Sequence, residues 1–320
     1  MKRLLLLVIV FLAACQSAQA QVCGASTTIT SPISFTGVDI LGGGYVDTTA
    51  TLTIQCTGLL GLMQVCTSFS AGTGGTNGST SRQLVRVGGT ETINVQLYQD
   101  AAYSVPWGSL TDPSLGSVPA VGVLLVLGLG GTATQTVYAR LFGNQQTVVP
   151  GTYVSTIDMS LRFGIVSLLT GCNSPLLTYT QNGPSFQVQA VVPKSCLLSV
   201  QDHVNFGSHS LLNSNIDAQG NLSVQCTNST PFNIALGAGN GSGATVTSRK
   251  MTGPGGATIN YQIFRDGGMS QNWGQTIGSD TYAATGSGLL TLKPVYGRVP
   301  PQSTPQVGTY TDTLLVTLTY

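Results

Sequence analysis

The chain says the same thing twice. Thr53-Ile54-Gln55-Cys56-Thr57 recurs as Ser223-Val224-Gln225-Cys226-Thr227, and each of these cysteines has an earlier candidate partner, Cys23 and Cys196. Thr92-Ile93-Asn94-Val95-Gln96-Leu97-Tyr98-Gln99-Asp100 recurs as Thr258-Ile259-Asn260-Tyr261-Gln262-Ile263-Phe264-Arg265-Asp266. Trp107-Gly108 answers Trp273-Gly274, Val137-Tyr138-Ala139-Arg140 answers Val295-Tyr296-Gly297-Arg298, and Gly151-Thr152-Tyr153 answers Gly308-Thr309-Tyr310. These anchors fall in one order, so whatever fold the first copy takes, the second must take as well.

Within the copies, apolar residues alternate: Ile93, Val95 and Leu97 in one, Ile259, Tyr261 and Ile263 in the other, and Leu314, Val316, Leu318 and Tyr320 at the C-terminal end. A period of two marks half-buried strands. Gly, Ser, Asn and Thr clusters such as 72–81 and 237–243 read as turns, and no segment sustains a helical period. The expectation is all-β, two β-sandwich domains in tandem at 21–180 and 181–320.

Residues 1–20 carry the marks of a secretory signal: Lys2 and Arg3, the apolar run Leu4–Ala14, and the small-residue site Ala18-Gln19-Ala20. A competing reading takes Leu12-Ala13-Ala14-Cys15 as a lipoprotein box with Cys15 lipidated. Removal of the segment leaves ten basic against eleven acidic residues and six cysteines. A chain with a net charge this close to zero lacks the basic face that displaces counterions from nucleic acid. An even cysteine count in an oxidising compartment points to disulfides. By the repeat these are Cys23–Cys56 and Cys196–Cys226, each worth about 3–4 kcal/mol in the chain-entropy account, which leaves Cys66 to pair with Cys172.

The second copy, from Cys196 through Trp273-Gly274 and Val295-Tyr296-Gly297 to Gly308-Thr309-Tyr310 and the closing alternation up to Tyr320, resembles the spore coat protein U domain, the pilin module of archaic chaperone-usher pili; the first copy resembles it more loosely. The resemblance implies immunoglobulin-like sandwiches, the C-terminal one lacking a strand. Such a groove is filled first by a periplasmic pilus chaperone, then at the outer-membrane usher by a donor strand of the next pilin subunit. It also implies a secreted protein that passes through the periplasm to a cell-surface pilus.

Only Gln21 and Val22 stand before Cys23, whereas an alternating segment, Phe186, Val188, Ala190 and Val192 within 186–193, stands before Cys196. That segment is expected to complete the N-terminal domain in cis, which would make the chain a pilus tip subunit. The copies also differ where a tip adhesin would need them to: the first has Gly58-Leu59-Leu60-Gly61-Leu62-Met63 where the second has Asn228-Ser229-Thr230-Pro231. The first also has the apolar run 118–129, with Val123, Leu124, Leu125 and Val126 at its centre. As exposed loops, Leu59, Leu60, Leu62, Met63, Val123, Leu124, Leu125 and Val126 would bind a hydrophobic or host surface and support biofilm. As a buried strand and a packed loop they would be core, leaving a structural subunit or fibre initiator, or a secreted binding protein outside any fibre.

Catalysis is not expected. His203 and His209 read as surface-loop residues, and no Ser, His and acid set recurs. Two histidines among paired cysteines make no metal site, so neither a metal nor another cofactor is expected. The Gly237–Gly241 stretch lacks the Lys-Ser/Thr of a phosphate loop, and Trp107 and Trp273 read as core.

Overall fold

The computed structural model describes residues 21–24, 27–78 and 81–320; the expected signal segment and Cys15 lie outside them. The described chain is all-β apart from two short 3-10 turns, and it divides into two compact units.

The first unit contains β1 (Val22–Cys23), β2 (Thr28–Ile29), β3 (Ile33–Phe35), β4 (Val46–Thr57), β5 (Gly61–Phe69), β6 (Arg82–Arg86), β7 (Thr92–Tyr98), β8 (Ala120–Leu125), β9 (Gly131–Leu141), β10 (Gly151–Ile157), β11 (Met159–Val166), β12 (Tyr179–Asn182) and β13 (Phe186–Val192). One sheet runs β1-β4-β9-β7-β6-β10-β13-β3, with β2 also on β4, and the other runs β12-β11-β5-β8. Strict alternation on β4, β9 and β10 puts Ile54, Val137 and Tyr153 inside the sandwich and the intervening threonines outside.

The second unit contains β14 (Cys196–Asp202), β15 (Ile216–Cys226), β16 (Pro231–Leu236), β17 (Arg249–Thr252), β18 (Thr258–Phe264), β19 (Tyr282–Thr285), β20 (Thr291–Val299) and β21 (Val316–Thr319). Its sheets run β14-β15-β20-β18-β17 and β19-β16-β21. Disulfides join Cys23 to Cys56, Cys66 to Cys172 and Cys196 to Cys226.

Each copy buries its tryptophan in the same way, with the indole Nε1–H donating to a carbonyl on the facing strand: Trp107 to Thr67 and Trp273 to Ile234, both at 2.8 Å. Each also buries an arginine that the sequence reading passed over. Arg82 donates to the carbonyls of Ser70, Phe69 and Trp107, and Arg249 to those of Gly237, Val246, Leu236 and Trp273. Burial lowers the pKa of Arg249 and pulls that of Arg82 down to about 10, with Asp112 opposing the shift. The signal was present as a further repeated pair, Ser81-Arg82 and Ser248-Arg249. A third repeated device is a forked ion pair closing the end of a strand pair, Asp47 with Arg140 and Asp217 with Arg298.

The copies part company at one strand. In the first unit β13 lies between β10 and β3, parallel to β3 with Val188 opposite Ile33. Phe186, Val188, Ala190 and Val192 are buried, and the Phe186 ring meets Phe69 edge-on at 5.0 Å. Ile157 on the neighbouring β10 and Met159, Leu161 and Phe163 on β11 are buried as well. Counting from the shared Gly-Thr-Tyr anchor, the second unit has Leu314, Val316, Leu318 and Tyr320 at those positions. The first three are only half-buried and Tyr320 is exposed. Val204 and Phe206, the counterparts of Ile33 and Phe35, are half-buried too, and residues 203–209 form no strand. The sequence pattern is the same, and one strand's worth of cover is missing. The fold is therefore two immunoglobulin-like, pilin-type sandwiches, the C-terminal one lacking a strand.

Candidate functional site

Three chain reversals meet at one end of the first unit, and register shows why. In the smaller sheet Gly61 lies opposite Leu125, and Leu62 opposite both Leu124 and Val166. In the larger sheet Cys56 lies opposite Gly131. The β4–β5 turn (58–60), the β8–β9 turn (126–130) and the segment leaving β11 (167–171) must therefore emerge side by side. The β8–β9 turn is closed by a bridge between Val126 and Gly130 and needs glycine there: Gly130 has φ +71°, and a Cβ on it would lie 2.5 Å from the Cys56 carbonyl oxygen.

Side chains at these reversals are apolar and outward. Fractional exposure is 70% at Leu60, 69% at Leu124, 64% at Leu127, 85% at Leu129 and 74% at Leu168. Leu59, Val126 and Leu169 are exposed as well. Residues 57–62, 124–131 and 165–171 hold no charged side chain. Single exposed leucines are ordinary, and it is their gathering at one uncharged end that makes this a candidate interaction surface.

Three of the eight residues expected at this surface do not belong to it. Met63, Val123 and Leu125 are fully buried. Strand alternation is the reason: β5 and β8 carry the chain up to the turns, so Met63 and Val123, opposite each other, and Leu125 point into the sandwich, whereas Leu124 points away from it. Leu62, on the outward face, is half-covered by the residues after β11. The expected set thus reduces to Leu59, Leu60, Leu124 and Val126, with Leu62 at the margin. The run 118–129 is neither wholly a core strand nor wholly a loop, because it is β8 followed by an exposed turn.

Sequence reasoning missed the third reversal. Leu168 and Leu169 lie in a Ser-Leu-Leu-Thr-Gly stretch with no repeat partner, and nothing in their local pattern separates them from a core pair. Their place follows from long-range register, which brings Val166 beside Leu62. A Cβ on Gly122 would lie 3.0 Å from Leu62 Cδ1 and 3.5 Å from Leu169 Cδ2, so these two side chains close over the glycine.

Among the described residues no cluster of His, Cys, Asp and Glu could hold a metal ion, and no helix is long and apolar enough to cross a membrane. His209 bonds the Phe206 carbonyl and is exposed, as is His203.

Comparison with known proteins bears on the whole chain. Protein U of Myxococcus xanthus is 34% identical over 128 residues, which span 37% of this chain and 71% of that protein. Among solved structures, the CsuC–CsuE chaperone–tip adhesion subunit pre-assembly complex from archaic chaperone-usher Csu pili of Acinetobacter baumannii matches with a TM-score of 0.53 at 17% identity, over 92% of this chain and 100% of that one. The CupB6 tip adhesin of Pseudomonas aeruginosa aligns at a TM-score of 0.40 and 11% identity, over 91% and 93%. The family model described as Spore Coat Protein U domain matches residues 7–160 and again 184–317. The chain belongs to the Spore Coat Protein U domain family and carries its domain twice.

Proposed function

We propose that this chain is the tip adhesin of a chaperone-usher pilus and attaches the cell to apolar surfaces, as in biofilm formation, through the uncharged end of its first unit. The observation that carries the reading is the gathering of Leu59, Leu60, Leu124, Val126, Leu127, Leu129, Leu168 and Leu169 on three adjacent reversals. Each leucine desolvated against a surface contributes about 1.5–3 kcal/mol before ordering costs are subtracted. Many tips engaging together multiply weak contacts.

The two units divide the work. In the first, β13 acts as an in-cis donor strand, so that unit is closed and free to present its turns. The second is left open between 203–209 and 310–315, and there a pilus chaperone, then at the usher a donor strand of the next pilin, supplies the missing cover. The complex of a chaperone with a tip adhesion subunit is that of the Csu proteins; the half-buried Leu314, Val316 and Leu318 support the same arrangement here. By this reading the protein is exported by its signal segment and resides at a pilus tip.

The test is adsorption of the mature chain to alkyl-terminated and hydroxyl-terminated monolayers from low to high salt. Retention on the alkyl surface should be at least tenfold greater and insensitive to salt, because screening acts on charges the surface lacks. Preference for the hydroxyl layer, or loss in high salt, would reject apolar attachment in favour of a glycan or charged receptor.

A further inference from the structure

We infer that Gln64 and the Cys66–Cys172 disulfide are positioning residues of the attachment surface, holding residues 167–178 as a fixed third ridge. The inference rests on the apolar-attachment reading and adds what gives that surface its shape.

β5 is buried along nearly its whole length, on both faces. Its inward residues Met63, Val65, Thr67 and Phe69 meet the core, while Leu62, Gln64 and Cys66 face the other way, under the segment that follows β11. Gln64 is a fully buried amide that serves this segment as a strand would. Its Nε2 donates to the Thr170 carbonyl at 2.6 Å, and its Oε1 accepts from the Thr170 N–H at 2.7 Å. Two residues further along both partners, Cys66 is bonded to Cys172. Arg162, opposite Cys66 on β11, donates to the carbonyls of Leu177 at 3.0 Å and Ser174 at 3.4 Å. The segment is fastened at 170, 172, 174 and 177, and Leu177 packs with Cys66 and Val166 beneath it.

Leu168 and Leu169 stand just before the first of these attachments. An untethered segment of that length would turn its leucines back onto Leu62 and Val166 in water and pay an ordering cost on each contact with a surface. Fastened, it presents them already ordered. The device is confined to the copy that carries the apolar end, because at the positions of Gln64 and Cys66 the second copy has Pro231 and Asn233. A buried glutamine spent on loop backbone and a disulfide with no counterpart have no role in the shared fold, which the second copy achieves without them.

The experiment uses the full mature chain in three forms: the triple variant Gln64→Leu, Cys66→Ala, Cys172→Ala; the single variant Gln64→Leu; and Leu168→Ser, Leu169→Ser. Amide exchange at 168–171 and the dissociation rate from an alkyl-terminated monolayer are read together. The triple variant keeps every exposed leucine, and it should exchange at least tenfold faster at 168–171 and leave the monolayer at least tenfold faster. The double serine variant should leave faster with exchange unchanged. Gln64→Leu, which retains the disulfide, should fall between and carries the test if the triple variant does not fold. Faster exchange with unaltered dissociation would overturn the inference. So would unaltered dissociation of the serine variant, since the ridge would then lie outside the surface; the reading of the other two turns is judged separately by Leu60→Ser and Leu127→Ser.

Discussion

Replacing Val188 with Thr changes the shape of β13 hardly at all and sets a hydroxyl in the apolar space between the sheets. Val188 is fully buried, with Ile33 opposite it in the strand pair. A hydroxyl buried without a partner costs about 1–3 kcal/mol in proteins. For a unit of this size each kcal/mol moves the melting temperature by about 2–4 °C, so Tm should fall by about 2–12 °C. Val191 is the internal control: it lies on the same strand with the opposite orientation and is about half exposed, so Val191→Thr should stay within about 0.5 kcal/mol of the parent. Each unit holds one buried tryptophan, Trp107 in the first and Trp273 in the second. In a Trp273→Phe background, Trp107 fluorescence therefore follows the first unit alone. If Val188→Thr and Val191→Thr melt alike, β13 is not an integral strand of the first sandwich, and the account of how the two units differ fails with it.

Three further outcomes follow from the same geometry. A peptide with the sequence of residues 186–193 should raise the melting temperature of the second unit, read by Trp273 in a Trp107→Phe background, and the same peptide with Asp in place of Ala190 should not, because the acceptor is an apolar groove. Arg249→Ala leaves four carbonyls without their charged donor and should cost the second unit at least about 3 kcal/mol by chemical denaturation, with Arg82→Ala doing the same to the first unit. For pH, the bond from Arg298 holds the Asp217 carboxyl below its ordinary value near 3.8. Its contribution is thus fully present above that value and lost as pH falls through the lower folded one. The pair is partly exposed, so the effect is small, and Asp217→Asn should flatten the acid limb of the denaturation midpoint below about pH 4 while leaving neutral stability nearly unchanged.

Much of the fold was legible because the chain repeats it. Alternation gave the strands, and the anchors fixed which strand of one copy answers which of the other. The alternating 186–192 segment was visible as a spare strand for the same reason. The surface was read less well. From sequence, Gly58-Leu59-Leu60-Gly61-Leu62-Met63 is one apolar stretch; in the folded chain the turn ends at Gly61, and alternation then sends Met63 inward. A one-residue shift in where a strand begins exchanges core for surface, and apolar runs without alternation do not mark that point. Leu168 and Leu169 were illegible for a different reason: their neighbourhood is made by Gln64, Cys66 and Gly122, residues distant in sequence and brought in by sheet register. The buried arginines escaped notice because a charged residue in a strand reads as solvent-facing until its carbonyl partners are known.

The most direct test of the attachment surface compares two sets of substitutions in cells that assemble the fibre, scoring attachment to an apolar surface against fibre yield. Leu60→Ser, Leu124→Ser and Leu127→Ser together remove outward side chains and should abolish attachment with fibre yield unchanged. Met63→Ser and Leu125→Ser remove inward ones and should lower both, because the first unit loses core. Full attachment by the outward variant at normal fibre yield would contradict the assignment, and the binding face would then lie elsewhere on the chain.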